Sequence, residues 1–313
     1  MIHSLFSDVV GHKTLLEILS KTVAHPASGY LFSGPDGVGK RMIAERFMKI
    51  LCDVRATQSL LSHPDFIPLV CEEGKRAFSV EQVRELMQRM QLSSAYGGRK
   101  IAYISDAERL NEASSNAFLK AVEEPSAGAV YVFVTEEPER LPATLRSRLT
   151  PVTFGRVTTE ELRGWMQREG FTQEESERYL ERASGCPGMI KRFLADDQSW
   201  IERENLVRET WKIVLEGSVG KSCGMLEQLS QRIEKMDDAD VEWRTVLRIM
   251  MRECSRTFSE RPQESARMAH GLFHAWRLVG SSLSPRLALE WSAIQPYLRE
   301  EPFIPSFLHP SYL

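Results

Sequence analysis

Cysteine is scarce in this 313-residue chain: five residues, at positions 52, 71, 186, 223 and 254, with no C-x-x-C pair among them. A disulfide framework or a local zinc site needs clustered thiols, so neither is expected, and the usage fits a reducing compartment. Long hydrophobic runs are missing too. No uncharged apolar stretch approaches the roughly 18 residues that a membrane span needs. The opening Met1-Ile2-His3-Ser4 has no basic segment followed by an apolar core, so no signal peptide is expected there. Neither charge is in excess: 40 Lys and Arg against 43 Asp and Glu leave a net charge of -3. That gives no global basic footprint for nucleic acid, and any DNA contact has to be local or borrowed from partners. Internal repeats and low-complexity tracts are also absent. What is present, 42% hydrophobic and 9% aromatic residues, is ordinary for a globular protein, with length for two or three domains.

Against this plain background one stretch stands out, Gly34-Pro35-Asp36-Gly37-Val38-Gly39-Lys40-Arg41. It fits G-x-x-x-x-G-K, the loop whose backbone N–H groups cradle phosphates while the lysine reaches the terminal ones. Tyr30-Leu31-Phe32 before it reads as a buried strand and residues 42–47 after it read as helix, which aims a helix N-terminus at the anion. One position departs from the pattern. Where a Ser or Thr hydroxyl holds Mg²⁺, this chain has Arg41, which has no acceptor to offer a metal.

Further along, apolar strands are expected at residues 66–71, 100–106 and 130–135, with a last β signal at 152–154. Helical spacing predicts helices over 8–24, 80–92 (Ser79 as N-cap), 112–122, 158–168, 173–183 and 188–195. Strands alternating with helices indicate a parallel sheet covered on both faces, with ligands at the carboxyl ends of the strands. Gly34, Asp106 and Thr135 all fall at such ends. From about residue 205 onward the pattern is one helix after another.

Asp106, ending an apolar strand about 65 residues after the loop, has the form of a Walker B acid that contacts Mg²⁺; the structural alternative is a helix-capping Asp. The following position, where a hydrolytic enzyme keeps an acid to orient water, is Ala107. Glu108 is one residue further and projects elsewhere.

Two segments carry a resemblance. Residues 97–125 contain Gly97-Gly98-Arg99-Lys100, then Asp106, Asn116, Lys120 and Glu123-Glu124-Pro125; residues 138–148 run Pro138-Glu-Arg-Leu-Pro142-Ala-Thr-Leu-Arg146-Ser147-Arg148. Together with Val10-Gly11-His12, His63-Pro64-Asp65-Phe66 and Val80-Glu-Gln-Val83-Arg84, they make the chain similar to the AAA+ clamp-loader family over roughly residues 5–195, within it to the delta-prime type of bacterial DNA polymerase III subunit. The resemblance implies three domains: an AAA+ P-loop parallel-sheet domain (1–155), a small three-helix lid (156–200) and a C-terminal helical collar (205–313), α/β plus all-α in class. It makes Arg148, next to Ser147, a trans-acting arginine finger for a neighbouring subunit's ATP; the bland alternative is a surface cation paired with Glu137 or Glu139. The third residue of that element is Leu149 rather than the family's Cys. Thr135 falls at the first-sensor position, where a strand Thr with no such role is equally ordinary, and Gly188 stands where the second sensor is normally an arginine. Lys191 and Arg192, one turn later, read as solvated helix cations within reach of the pocket.

The family's four-cysteine zinc module is reduced here to Cys52, so no zinc is expected. Arg41, Ala107 and Gly188 each weaken hydrolysis, so the implied role is a largely non-catalytic subunit, with ATP binding at Gly34, Gly37, Gly39, Lys40 and Arg41 possible without turnover and no cofactor required. The implied partners are gamma/tau-type and delta-type subunits in a pentameric ring and, through them, the sliding clamp and primed DNA in the bacterial cytoplasm. An active ATPase motor subunit is the alternative from the enzyme class.

Overall fold

The computed structural model describes residue 6 and residues 8–55, 57–71, 77–216, 218–236, 238–280 and 283–294; residues 1–4, discussed above for targeting signals, lie outside that set. The chain divides into two compact units, Met1–Ala195 and Asp196–Leu313.

The first unit is built on a five-stranded, fully parallel sheet in the order β2-β3-β4-β1-β5. The strands are β1 (Gly29–Ser33), β2 (Phe66–Leu69), β3 (Lys100–Ile104), β4 (Ala129–Thr135) and β5 (Thr150–Thr153). Helices α1 (Lys13–Thr22), α2 (Lys40–Leu51), α3 (Val80–Gln91), α4 (Glu112–Glu123) and the single turn α5 (Ala143–Arg146) flank it. Because side chains alternate across a strand, the continuous apolar runs feed two separate cores. Tyr30, Phe32, Val132 and Val134 point to one face, where Leu19 of α1 and Ile43 and Phe47 of α2 pack. Leu31, Tyr131 and Phe133 point to the other, against Leu86 and Met90 of α3 and Phe118 of α4. A Phe to Ala change at a fully buried site such as Phe133 costs about 3–5 kcal/mol, enough to threaten the unit by itself.

The element boundaries follow local chemistry. Ser79 caps α3 through a capping box with Gln82, and Thr158 and Thr172 do the same for α6 (Thr159–Arg168) and α7 (Gln173–Ala183) with Glu161 and Glu175. The helix expected over 8–24 is shorter, Lys13–Thr22, because Gly11 (φ 72°) and His12 (φ 58°) are left-handed and cannot continue a helix backwards. The strand expected to reach Asp106 ends at Ile104, and Asp106 itself turns left-handed (φ 50°).

Two motif residues turn out to be fasteners. The buried Asp65 carboxylate accepts from the backbone N–H of Ala95 (2.9 Å) and from Ser94 Oγ (2.9 Å), pinning the loop before β3. Lys100 Nζ donates to the carbonyls of Arg89 and Leu92 (2.9 Å each), closing the C-terminal end of α3. After β5 the unit ends with α6, α7 and α8 (Pro187–Ala195).

The second unit is helical: α9 (Asp197–Glu216), α10 (Val219–Ile233), α11 (Ala239–Thr257), α12 (Pro262–Leu278) and α13 (Pro285–Ile294). Trp211, Trp243, Leu247 and Leu272 lie in its core, so these large apolar residues are internal packing. Buried Glu204 and Glu253 are paired by Arg252 and by Arg208 and Arg256, charge compensation that a buried carboxylate requires. Among the described residues of both units, no helix is long and apolar enough to cross a membrane.

Candidate functional site

The parallel register brings the loop, the strand-end acid and the strand-end threonine to one edge: Ser33 lies beside Thr135 and Ile104 beside Phe133. The loop at residues 34–39 runs from β1 into α2, whose first residue is Lys40. Gly37 takes φ 75°, a left-handed conformation that favours glycine.

At this edge the side chains that would meet a nucleotide are bonded to one another. Lys40 is only 3% exposed; its Nζ donates to Pro35 O (3.2 Å) and lies 3.6 Å from Glu136 Oε1. Burial pulls its pKa below the ordinary lysine value, with Glu136 and Asp36 opposing that shift. The guanidinium of Arg41 donates from Nη2 to Asp106 Oδ1, so the residue in the hydroxyl position and the strand-end acid are joined directly. Ala107 is fully buried, its methyl packed in the core that also holds Leu86, Met90, Phe118 and Phe133. Glu108 turns to Thr135, whose Oγ1 donates to Glu108 Oε2 (2.6 Å) and accepts from the Glu137 N–H (3.0 Å).

Helix α8 closes over the loop. The Gly188 N–H donates to Gly37 O at 2.7 Å, and a Cβ at residue 188 would sit 2.8 Å from that same oxygen. No side chain, arginine included, fits there unless the backbone moves. Arg192 reaches back to Asp36, with Nη2 3.0 Å from Oδ1 and Nη1 on Oδ2, a forked pair that raises the arginine's pKa further. Arg192 is half exposed, as a helix cation near the pocket is expected to be, but it is paired: the acid in the loop supplies its partner, and no pattern in the sequence links residues 156 apart. Lys191, beside it, is exposed.

Arg148 lies elsewhere on the unit, in the turn after α5. Its Nε donates to Glu123 Oε1, at the end of α4, and its Nη1 to Thr144 O (2.7 Å). The partner is Glu123, in place of the Glu137 or Glu139 named above; Glu139 is taken by Arg146 and Glu137 by Arg140. Ser147 Oγ donates to Thr144 O (3.1 Å), bracing the same turn. Leu149 is buried on the strand side, so close over Gly29 that a Cβ there would meet its Cδ2 at 2.5 Å. Leucine at this position therefore anchors the turn while Arg148 stays 38% exposed at its side chain. The two motifs that carried the resemblance, Glu123-Glu124-Pro125 and Ser147-Arg148, meet through this ion pair.

Among the described residues, no three His, Cys, Asp or Glu side chains converge in a metal-binding group.

Residues 11–158 match the family described as "DNA polymerase III, delta subunit". The chain is 36% identical over 138 residues to a DNA polymerase III subunit delta' of Pseudomonas aeruginosa, covering 40% of this chain and 42% of that protein. It is 35% identical over 146 residues to the delta' subunit of Escherichia coli, covering 46% and 43%. The chain thus spans less than half the length of these relatives. A solved DNA polymerase III gamma subunit-related protein of Thermotoga maritima superposes with a TM-score of 0.50 at 18% identity, over 89% of this chain and 97% of that one, a likeness of fold.

Proposed function

We propose that this chain, delta-prime-like in the clamp-loader family over residues 11–158, serves as a largely non-catalytic clamp-loader subunit that presents Arg148 to ATP held by a neighbouring subunit. The observation that carries the reading is the contrast between the two arginines beside acids. Arg41 joins the metal-ligand position to Asp106 inside the chain's own phosphate loop, whereas Arg148 is held by one exposed glutamate and one carbonyl on an outer turn. The buried methyl of Ala107 and the backbone contact at Gly188 support it, since neither position can supply a general base or a phosphate sensor.

In this reading gamma/tau-type subunits hold the ATP, a delta-type subunit completes a five-membered ring, and the ring opens the sliding clamp and seats it on primed DNA in the bacterial cytoplasm. Residues 1–155 act as the AAA+ module, 156–200 as its lid and 205–313 as the collar that holds the ring. An arginine delivered in trans stabilises charge on the transferred phosphoryl group and is worth on the order of 10³–10⁵ in rate. Ser147 serves by bracing the turn that presents it. A second reading, nucleotide binding without turnover, is favoured by Lys40, which stays buried in the loop with its glycines in place.

The test is Arg148→Ala in a loader reconstituted with gamma/tau and delta subunits. DNA-stimulated ATP turnover falls while the ring still assembles by size-exclusion chromatography. Unchanged turnover removes the finger role.

A further inference from the structure

We propose that Arg41 is a built-in cation standing where a phosphate loop of this kind recruits a divalent metal, and that the loop takes the polyphosphate of a nucleotide without Mg²⁺. The inference rests on reading residues 34–41 as a phosphate-binding loop and is independent of any role for Arg148.

A divalent ion at such a site needs oxygen donors that converge, usually a hydroxyl opening the helix and an acid at a strand end. Both positions are identified here, and a hard cation fits neither. The helix position carries a guanidinium, which offers donors only. The strand-end carboxylate of Asp106 accepts from that guanidinium, so a dication on it would lie against a like charge. The other carboxylates around the edge are engaged as well: Glu108 accepts from Thr135, Glu136 faces Lys40, and Asp36 holds Arg192. Among the described residues, no three of these acids, or of His and Cys side chains, gather into a metal-binding group.

What the substitution removes in metal affinity it replaces in donor capacity. A guanidinium has five N–H donors in a planar fork matched to phosphate oxygens, and the bond to Asp106 engages one nitrogen. The side chain is 57% exposed while Asp106 fixes one end of it. Lys40 follows the same principle one residue earlier, buried and held by Pro35 O. Arg41, the exposed one of two adjacent cations at the start of α2, therefore stands where a metal would otherwise bridge the phosphates, with Lys40 buried beside it. The chemical class that fits is a nucleoside di- or triphosphate bound in metal-free form. Without a metal or an acid at Ala107 it stays unhydrolysed.

The decisive experiment titrates the full chain with fluorescent N-methylanthraniloyl-ATP, once with excess Mg²⁺ and once with excess EDTA. For the unchanged protein the two affinities agree within about twofold, and for Arg41→Thr, which restores a hydroxyl and releases Asp106, Mg²⁺ tightens binding by about tenfold or more. The pair is exposed, so its loss leaves the fold intact, which circular dichroism of the variant verifies. Arg41→Lys keeps a cation without the fork and stays independent of the metal. Binding of the unchanged protein that weakens about tenfold in EDTA overturns the proposal while leaving the loop reading in place. Metal-independent binding by Arg41→Thr also overturns it. No binding by either protein overturns the loop reading itself.

Discussion

The loop at residues 34–41 and the Arg148 turn both present an arginine next to a carboxylate, yet they are built in opposite ways. In the loop the pairs run across the unit: Arg41 to Asp106, Asp36 to Arg192, Gly188 to Gly37, with Lys40 buried between them. Two of these contacts fasten the loop to α8, and the third joins the start of α2 to the acid that follows β3. At the turn, Leu149 sinks into the core and carries the geometry, while Arg148 and Glu123 meet at the surface with side chains 38% and 48% exposed. Such an exposed pair is worth roughly 0–1 kcal/mol and exchanges partners readily. The lesson is that retaining the residues of a motif differs from keeping them available. The loop keeps its lysine and directs it inward; the turn spends little energy on holding its arginine and leaves it deliverable.

The contrast can be broken most forcefully at Gly188. Gly188→Arg introduces the residue that the resemblance implies for this position but drives a Cβ to within 2.8 Å of Gly37 O, so loop and helix α8 have to separate. A loss of about 1–3 kcal/mol is expected in urea denaturation, in line with overpacking at a close backbone contact. A neutral result would mean that α8 is not fastened to the loop.

An intermediate effect is expected in the second unit, which contains neither feature and serves as a control. His274 is buried with Nε2 3.2 Å from that of His270, and burial first, then His270 and Arg277, hold its pKa below 6.5. Between its folded pKa and 6.5 the unfolded chain binds more protons, so stability rises with pH through that window and is lost as pH falls below 6.5. Thermal melts of the full chain at successive pH values should show a transition weakened by acid, and His274→Gln should flatten that dependence. An unaltered pH profile in the variant would assign the acid sensitivity elsewhere.

The smallest effect belongs to the turn. Glu123→Ala removes the carboxylate partner of Arg148, yet Thr144 O still holds the guanidinium, and the expected stability change is within about 0.5 kcal/mol. A loss several times larger would show that this pair is a structural fastener like those of the loop.

Much of the architecture was legible because it is written locally. The strands are short apolar runs, the helices are opened by Ser79, Thr158 and Thr172, and the strand ends gather Gly34, Asp106 and Thr135. Helix α1 was over-extended because nothing in its spacing marks Gly11 and His12 as left-handed. The departures at Arg41, Ala107 and Gly188 were visible as single residues, but their consequences were not. Arg41 meets Asp106 across 65 residues, Arg148 meets Glu123 across 25, and Arg192 meets Asp36 across 156. Pairings of that range depend on which strands and helices become neighbours, which hydrophobic period does not encode. Glu123 and Asp36 were therefore missed as the partners that fix the two arginines. The one signal for Glu123 was its place in the Glu123-Glu124-Pro125 run, whose role becomes plain only beside Arg148.

The most direct test sets the two regions against each other in one assembly. Lys40→Ala and Arg148→Ala are placed separately in a loader reconstituted with gamma/tau and delta subunits, and primed-DNA-stimulated ATP turnover is measured for each at matched ring occupancy. The account predicts a turnover near that of the unchanged loader for Lys40→Ala and a deep loss for Arg148→Ala. A deep loss with Lys40→Ala and an unchanged rate with Arg148→Ala would contradict it, placing the chemistry in this chain's own loop.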